Sequence, residues 1–475
     1  ANITVPIHQI NIDGLSLPIS LQYNTSGVRV NQDASWVGLG WNLGMGMTIT
    51  RGVNGYEHIR NLENPTDDAE STGWIYSENF YFPRPERGEY TPEITQDELN
   101  QILSAHIGNN PIDTEPDLFT VNLPSGSVKF YLPKITGAET HLTATPLNAK
   151  NFKIVYDIAA KIFEVTDPNG FLYQFDVKEF STGYSSWDAD AGTLDRQVAL
   201  QGIPNWSTSQ TRMMISSWKP SHVTSPFGET LTMTYEDGFY FSYPYYVESH
   251  ELFIGGTANN DPFTTNLTSS KPVIASLNAF HVKYLKEITG DFGKIFFTLS
   301  GRDDLFSKED LERLANDNWA PAITPSAYNA KKLDQVQVVN MYDEVIKTAD
   351  LHYGYFDDDK TADIDKVSYL RLKLDSVAIF DQTYEFEYNN PNLLPRKDSN
   401  AIDFWGYYNG KQNTTLIPSG NRFYLRRKSA TNFTFEQFHQ WKGANRSSDV
   451  NYGKYGTLEK VTYPTGGYSQ FFYDG

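Results

Sequence analysis

Apolar and polar residues alternate along many short stretches of this chain, which is the pattern of strands that bury one face of a sheet. Phe171, Tyr173 and Phe175 place every second ring on one face, and the stretch 384–388 (YEFEY) repeats the arrangement. Turn residues bound these stretches: DPNG at 167–170 and PTGG at 464–467 supply the preset proline φ and the glycines that tight hairpin turns use. The pattern therefore predicts β-hairpins.

This hairpin pattern recurs along the chain at irregular spacing. Each copy has an alternating strand, a turn rich in Gly, Pro, Asp or Asn, and a second strand with Phe or Tyr at alternate positions. The segments are 118–133, 163–176, 221–238, 285–300, 333–353, 372–388 and 458–475. Because one hairpin cannot bury an aromatic face alone, we expect the hairpins to pack side by side or across a cavity in a mainly β protein.

Two insertions between the hairpins have helical patterns. Residues 95–98 (TQDE) form a capping box before apolar residues at helical spacing, and 307–310 (SKED) precede Leu311 and Leu314 in the same way. The stretches 61–72, 182–209 and 255–272 are rich in Asn, Asp, Gly, Ser and Thr, and predict long surface loops.

Composition excludes several classes of function. The 475 residues carry a formal net charge of −19, which repels nucleic-acid backbones. Cysteine is absent, which excludes disulfides, thiolate nucleophiles and cysteine-based zinc or Fe–S sites. The longest uncharged glycine-rich run, 34–50, is shorter than the ~20 apolar residues of a membrane-spanning helix. We expect an acidic, β-rich protein with no nucleic-acid partner and no membrane span.

Two blocks of Trp and Gly resemble RHS/YD-repeat proteins. Residues 17–24 (LPISLQYN) and 34–43 (ASWVGLGWNL) are similar to the N-terminal regions of Bacteroidota RHS proteins. They also resemble the SpvB-type module that opens the B component of insecticidal toxin complexes. The likeness continues at 403–410 (DFWGYYNG), and 456–474 is similar to a YD repeat.

The resemblance implies a long coiled antiparallel sheet of repeated hairpins that forms a hollow shell, often around a C-terminal toxin. It divides the chain into an SpvB-like module (1–60), a loop-rich insertion with a helix (61–117), degenerate YD-like hairpins (118–400), and a final WGYYNG block and YD hairpin (401–475). We expect the native chain to continue beyond Gly475. The implied protein is secreted or on a bacterial cell surface, with its own downstream repeats and C-terminal domain, and type 9 secretion or outer-membrane machinery, as partners.

The Trp and Gly blocks are predicted to be structural. Their glycines do not have the GxGxxG spacing of a dinucleotide loop, and they let backbone and indole rings approach closely. The sequence also lacks a GxSxG elbow and a zinc-protease histidine pair, so we predict no catalytic residues and no enzyme activity. The predicted structural residues are Trp36, Gly38, Gly40, Trp41, Trp405, Gly406, Gly410, Gly466 and Gly467.

One acidic loop is a candidate Ca²⁺ site. Asp188, Asp190 and Asp195 place carboxylates on a loop that contains Gly192, as calcium sites require. The loop lacks a further aspartate at the expected step and a distal glutamate, which favours an acidic loop without metal. The aspartates of 357–365 lack a glycine bend and predict a solvated turn.

Two functions from different classes are consistent with these patterns. The first is a non-enzymatic N-terminal part of a secreted RHS/YD-repeat shell that encloses or presents a C-terminal effector. The second is a cell-surface adhesin exported by the type 9 system, with 182–209 and 255–272 as contact loops and glycans as ligands. Four tyrosines of 239–250 (FYFSYPYYVESH) either stack on sugars or pack as an edge strand: Tyr240, Tyr243, Tyr245 and Tyr246.

Overall fold

The computed structural model describes residues 3–24, 26–54, 75, 115–149, 151–188, 214–249, 251–254, 267–270, 273–306, 330–357, 366–427 and 433–473. This part of the chain is mainly β and its strand pairs are antiparallel, which confirms the predicted fold class. Its helices are short: a 3-10 turn at Lys366–Ser368 and α1 at Val450–Gly453. The two predicted helical insertions lie outside the described residues.

The strands are short apart from a few central ones. In chain order they are β1 Ile3–Ile12, β2 Leu15–Tyr23, β3 Trp41–Gly44, β4 Thr48–Gly52, β5 Leu118–Leu123, β6 Gly126–Tyr131, β7 His141–Thr143, β8 Thr145–Pro146, β9 Lys153–Asp157, β10 Ile162–Thr166, β11 Leu172–Asp188, β12 Met214–Thr224, β13 Thr230–Phe241, β14 Tyr245–Glu248, β15 Glu251–Ile254, β16 Leu267–Ser270, β17 Val273–Gly290, β18 Gly293–Gly301, β19 Lys331–Asn340, β20 Val345–Phe356, β21 Arg371–Ile379, β22 Gln382–Tyr388, β23 Gly420–Arg427, β24 Phe433–Trp441, β25 Leu458–Thr462 and β26 Tyr468–Gln470.

Every predicted hairpin segment forms a hairpin. The pairs are β5–β6, β10–β11, β12–β13, β17–β18, β19–β20, β21–β22 and β25–β26. The aromatic alternation also holds, since Phe171, Tyr173 and Phe175 are all buried. Two predicted loops are partly wrong: β11 continues to Asp188 by pairing with β17, and β16 lies inside 255–272. The polar residues of 182–188 mimic a loop, although their backbone has a sheet partner.

The chain begins with a separate three-stranded sheet, β1–β2–β3. Apolar residues alternate along β1 and β2 and are buried on one face. Asp13 and Gly14, both at positive φ, make the two-residue turn between β1 and β2. The strand β4 leaves this sheet and pairs with β5 and β12 instead.

Strands β4 to β12 close into a ring. β4 pairs with β5, β5 with β6, and β6 with β8. β7, which directly precedes β8 in the chain, pairs with β9, and the pairings β9–β10–β11–β12 lead back to β4. Fully buried rings fill the interior: Phe163 contacts Tyr156 and Trp218 with ring centroids 4.7 and 4.9 Å apart. Closure leaves this small barrel with few free edges, which favours a rigid unit.

The same sheet continues from the ring, through the pairing of β12 with β13, as a meander. Its order is β13–β17–β18–β19–β20–β21–β22–β25–β26, each strand antiparallel to the next. Its inner face carries alternating buried residues, including Leu333, Leu374, Phe386 and Leu458. The N-terminal segment packs against this face and supplies the rest of its core.

Candidate functional site

The first Trp–Gly block, residues 34–41, forms a compact turn on the inner face of the meander. The Ser35 hydroxyl accepts a hydrogen bond from the Val37 backbone N–H (3.1 Å) and donates to the Trp41 carbonyl (2.6 Å). Gly38 and Gly40 have φ of +110° and +78°, where side chains are strained. A Cβ on Gly40 would lie 2.5 Å from the Tyr23 ring. Gly38 and Gly40 are therefore required by conformation, and Gly40 also by close packing.

Trp41 connects this block to the meander. Its ring is 2% exposed and lies 4.5 Å from Phe386 and 5.2 Å from Tyr23, centroid to centroid. Its indole N–H donates to the Tyr388 hydroxyl (2.8 Å), and that hydroxyl donates to the Leu374 carbonyl (2.7 Å). Burial raises the pKa of Tyr388, so the phenol stays neutral.

Trp36 has a more peripheral position. It is half-buried, its ring lies 5.6 Å from Tyr284, and its carbonyl accepts the Leu333 backbone N–H (3.0 Å). The Leu39 N–H also donates to the Leu372 carbonyl (2.8 Å). Through these two backbone hydrogen bonds the block is attached to β19 and β21.

Buried charges anchor the loop that precedes the block. Arg302 forms a bidentate pair with Asp304 (2.7 Å for both contacts), and it also donates to the Ser35 and Ala34 carbonyls. Lys397 donates to the Asp33 carboxylate (3.1 Å) and to the Asp304 carbonyl (2.7 Å). Three segments distant in sequence, 33–35, 302–304 and the one that contains Lys397, are thereby held together.

The charges of this network stabilise one another. Burial opposes ionisation of Asp304, but Arg302, Lys397 and the Leu372 N–H outweigh it, so the pKa of Asp304 is lowered. Burial likewise opposes the charge on Arg302, and the adjacent carboxylate more than offsets it, so the pKa of Arg302 is raised. For Lys397, burial dominates and lowers the pKa.

The second block, residues 403–410, begins with a tight turn. The Asp403 N–H donates to the Tyr407 carbonyl (2.9 Å), and the Asp403 carboxylate accepts the N–H groups of Trp405 (2.9 Å) and Tyr407 (3.0 Å). Gly406 occupies the positive-φ position at +92°. Phe404 and Trp405 stand at the tip and are 64% and 66% exposed. Trp405 is thus presented to solvent, unlike Trp41.

Several hairpins use this same turn. Each has a capping residue, two tip residues, a positive-φ residue and a closing residue, and the capping N–H donates to the closing carbonyl. The turns span 167–171, 225–229, 340–344, 403–407 and 463–467. Gly466 is the positive-φ residue of the last turn (+82°), and Gly467 closes it. Four of these turns share a sequence signal, Asp, Ser or Asn followed three residues later by Gly or Asp, and the fifth begins with Tyr463. The WGYYNG block has this signal, since Asp403 precedes Gly406 by three residues.

The rest of this block is fixed by a tyrosine cluster and an asparagine. Gly410 has φ of +65°, and a Cβ there would lie 2.5 Å from the Tyr452 ring. The Asn409 side chain donates to the carbonyls of Asn445 (3.0 Å) and Ser447 (3.1 Å). The turn therefore has a rigid base.

The structure brings the two sequence blocks together. The segment that precedes the first block lies along the second: the Val30 N–H donates to the Gly406 carbonyl (3.0 Å), and the Tyr407 hydroxyl donates to the Ser26 carbonyl (2.9 Å). A Cβ on Gly27 would lie 2.8 Å from the Tyr407 ring. No pattern in the sequence predicts this contact, because the partners are almost 400 residues apart.

An open cleft of about 250 Å³ lies where these segments meet β14. Aromatic rings and charged groups form much of its lining: Arg29, Tyr245, Tyr246, Lys397, Asp398, Phe404, Trp405 and Arg446. Arg446 lies over the Phe404 ring, 5.2 Å from its centroid, and donates to the carbonyls of Asp403 and Leu416. Burial lowers the pKa of Arg446. We take this cleft as the candidate binding site.

The predicted aromatic stretch contributes to the cleft in part. Tyr243 is buried against Phe306, with ring centroids 5.2 Å apart, and Tyr240 packs on Phe280 at the same distance. Tyr245 and Tyr246 line the cleft instead, and Tyr245 is exposed. Of these four tyrosines, Tyr245 is therefore the exposed one, while Tyr246 is half-buried against the cluster of Phe239, Phe241 and Phe306.

The calcium hypothesis stays a prediction. Asp188 ends β11, while Asp190 and Asp195 lie outside the described residues. Among the residues that the structure describes, no group of three or more His, Asp or Glu could hold a metal ion. Asp357 is buried at positive φ, and the other aspartates of 357–365 also lie outside. In the described ranges, no helix is long and apolar enough to span a membrane.

A polar cluster lies where β11, β12, β13 and β17 meet. The Glu179 carboxylate accepts the Ser217 hydroxyl (2.5 Å) and the Lys283 backbone N–H (2.9 Å). Asp237 pairs with the Lys283 ammonium and with His281 Nε2 (3.2 Å). These groups satisfy one another at a strand junction, which is a structural role.

His281 in this cluster predicts a pH dependence. Burial and the Lys283 charge lower its pKa below the ordinary 6.5. The unfolded chain then binds more protons than the folded one just below pH 6.5, so stability is complete above 6.5 and falls as the pH drops through the folded pKa. We expect the melting temperature of His281→Gln to fall less than that of the wild type between pH 7.5 and 5.5. His352→Gln, on an exposed side chain of β20, is the control and should follow the wild type.

Gly406 gives a prediction about the second block. Gly406→Ala forces a Cβ into a backbone with φ of +92°, which costs about 1–2 kcal/mol for an L-residue. Urea unfolding should show that loss. Gly301→Ala is the control, because Gly301 lacks a positive φ and has open space at its Cβ, so stability should be kept or slightly raised. Equal midpoints for the two variants would contradict the turn assignment.

Comparison with known proteins gives similar solved structures only. No family model and no curated protein matches the chain. It is similar to the N-terminal domain of effector protein SpvB from Salmonella typhimurium strain LT2 (14% identity, TM-score 0.30, 80% of this chain and 98% of that one). It is also similar to a chain of the TcdB2-TccC3-Cdc42 structure (11%, TM-score 0.35, 82% and 16%) and of the Photorhabdus luminescens Tc holotoxin pore (10%, TM-score 0.36, 82% and 15%).

The fold and the site define this chain as a mainly β module built of hairpins, with a closed ring, a meander and a braced N-terminal segment. The similar structures are an SpvB N-terminal domain and toxin-complex chains, the kinds of protein that the sequence resemblance named. The chain spans about a sixth of the length of the toxin-complex chains, and at these identities the likeness concerns the fold alone.

Proposed function

We propose that this chain is a non-enzymatic wall segment of a larger RHS/YD-repeat shell, which encloses or presents a C-terminal effector. The observation that carries the proposal is the meander β17–β26, in which consecutive hairpins join edge to edge. A sheet of this kind can be lengthened by further hairpins without changing those already present.

The N-terminal segment that packs on the inner face of the meander supports a mechanical role. Tyr23 and the first Trp–Gly block contact β19, β21, β22 and β25 through hydrogen bonds and buried rings. Such bracing fixes the curvature of a sheet that would otherwise twist freely. The polar clusters of the described residues pair internally, which supports a wall rather than a reaction site.

The setting of the protein is part of the same proposal. It follows from the sequence resemblance to secreted RHS/YD-repeat proteins, since the composition alone does not fix the compartment. We assign it to a secreted or cell-surface location in a bacterium of the Bacteroidota type, with type 9 secretion as the export route. Its partners would be its own downstream repeats and C-terminal domain.

Peptide mapping of the native protein tests the shell. Mass spectrometry should find residues beyond Gly475 that form further hairpin repeats and end in an unrelated domain. Limited proteolysis compares the C-terminal domain alone with the same domain in the full chain. The domain alone should be cleaved quickly, and the domain in the full chain slowly. A native chain without further repeats would overturn the shell. Equal cleavage rates for the two forms would overturn enclosure and leave a shell that presents the effector.

The cleft favours a second candidate function, a cell-surface binding protein. Phe404 and Trp405 are exposed on a rigid turn, and exposed aromatic pairs on a soluble protein are typical of recognition sites. Glycan-array binding by the intact protein, together with surface labelling of the bacterium, tests this function. Binding without surface exposure would leave only the shell.

A further inference from the structure

We propose that the cleft binds one carboxylated sugar ring at the end of a glycan. This inference rests on the second candidate function and does not depend on the shell. It names the ligand class for the site formed by the second Trp–Gly block and the segment around Arg29.

The size of the cleft limits the ligand. About 250 Å³ is below the ~300–1,000 Å³ that drug-sized ligands occupy, so the cleft holds one ring-sized group. The cleft is open, so the rest of a chain-like ligand can leave it without a clash. A terminal residue of a longer molecule fits these two conditions.

The walls select a ring with apolar and polar faces. Phe404 and Trp405 present exposed aromatic surface beside Tyr245, on which the C–H face of a sugar can pack. Asn31 and Ser399 add side-chain hydrogen-bonding groups to the same lining. A purely apolar side chain of a partner protein would offer no hydrogen-bond partner to Asn31 and Ser399.

The charge of the cleft selects a carboxylate. Arg29, Arg446, Lys397 and one carboxylate, Asp398, line it. Asp398 pairs with Arg396 (2.9 Å) and Lys397 with Asp33 (3.1 Å), whereas Arg29 and Arg446 belong to no ion pair of the described residues. Arg446 gives three hydrogen bonds to carbonyl oxygens, which leave its positive charge in place. A guanidinium binds a carboxylate in a planar fork, which an ammonium group cannot do.

The charge of the whole protein excludes polyanions. A net charge of −19 repels a ligand that carries many negative groups, such as a nucleic acid or a highly sulfated chain. A single carboxylate gains the local attraction of the two arginines and meets little of this repulsion. One acidic sugar therefore fits better than a polymer of them.

The test compares two ligands that differ at one group. Methyl glucuronide and methyl glucoside are titrated into the intact protein, and binding is followed by saturation-transfer NMR. We expect the glucuronide to bind about tenfold more tightly, since one charge-assisted contact separates the two. Arg29→Gln should remove this preference and keep glucoside binding, while Lys129→Gln, an exposed cation on β6, should change neither.

A second pair of variants separates the cleft from exposed aromatic surface in general. Trp405→Ala should weaken both sugars about fivefold to tenfold. Phe227→Ala is the matched control, because Phe227 is 84% exposed on the same kind of turn and does not line the cleft. Equal loss in both variants would overturn the site.

The remaining outcomes separate the acidic-sugar assignment from the glycan-binding function on which it rests. Equal affinity for the two glycosides, or tighter binding of a short peptide ending in glutamate, overturns the acidic-sugar assignment. An array on which only neutral glycans bind does the same and keeps the binding function. An array on which no glycan binds overturns both.

Discussion

Trp41→Ala should lower the free energy of unfolding by about 3–5 kcal/mol, the loss expected for a large buried ring. The substitution opens a cavity between Tyr23 and Phe386, whose ring centroids lie 5.2 and 4.5 Å from the indole. It also removes the indole N–H that donates to Tyr388. Urea unfolding followed by circular dichroism measures the loss.

Trp405→Ala is the control for this prediction. Both tryptophans lie in Trp–Gly blocks of similar composition, but Trp405 is 66% exposed and its removal leaves no cavity. Its unfolding midpoint should stay within experimental error of the wild type. If the two alanine variants unfold at the same urea concentration, the core role of Trp41 is wrong.

The buried ion network gives the second large effect. Asp304→Asn keeps the side-chain shape but removes the carboxylate that pairs with Arg302, while Lys397 keeps its contact with Asp33. Removing one partner of a buried pair costs about 3–5 kcal/mol, because the remaining charge is uncompensated and cannot reach water. We expect a loss of this size in urea unfolding at pH 7.

Asp303 is the neighbouring control. Its side chain is 63% exposed, and its carboxylate lies 3.7 Å from the Lys366 ammonium. Exposed pairs contribute about 0–1 kcal/mol, so Asp303→Asn should have almost no effect on stability. A similar loss in both variants would indicate that the effect comes from the segment 301–306 and not from the buried charges.

The pH dependence of Asp304 follows from its lowered pKa. A carboxyl whose folded pKa is below its ordinary 3.8 contributes its full stability above that value, and loses it as the pH falls through the folded pKa. The difference between the wild type and Asp304→Asn should therefore be constant from pH 7 to 5 and narrow below about pH 4. A difference that narrows already at pH 6 would contradict the assignment to Asp304.

Local features of this fold were predictable from the sequence. The hairpins have a period of two residues and turn residues at fixed positions, so each is encoded within about 20 residues. The sequence predicted that the glycines of the two blocks allow close backbone approach, and the structure places Gly38, Gly40, Gly406 and Gly410 at positive φ. The turn that begins at Asp403 was also predictable, because Asp167 begins a turn of the same kind with the same spacing of Asp and Gly.

The long-range features were not predictable. Asp33, Asp304 and Lys397 look like surface charges in the sequence, and only the fold shows that they share one buried network. Ring closure through β4 and β12 joins strands about 165 residues apart, which no periodicity records. The cleft has the same origin, since Arg29, Tyr245 and Trp405 come from three distant parts of the chain.

The position of the first Trp–Gly block also affects the order of events during synthesis. Trp41 hydrogen-bonds to Tyr388, 347 residues later, and Tyr23 accepts the backbone N–H of Leu458, 435 residues later. At ~5–20 residues per second, a ribosome needs about 20–70 s to produce Tyr388 after Trp41. During this interval the apolar side of β1–β3 and its indole have no partner from the meander. The N-terminal sheet must therefore wait, with its apolar side accessible to chaperones, until the last hairpins have been translated.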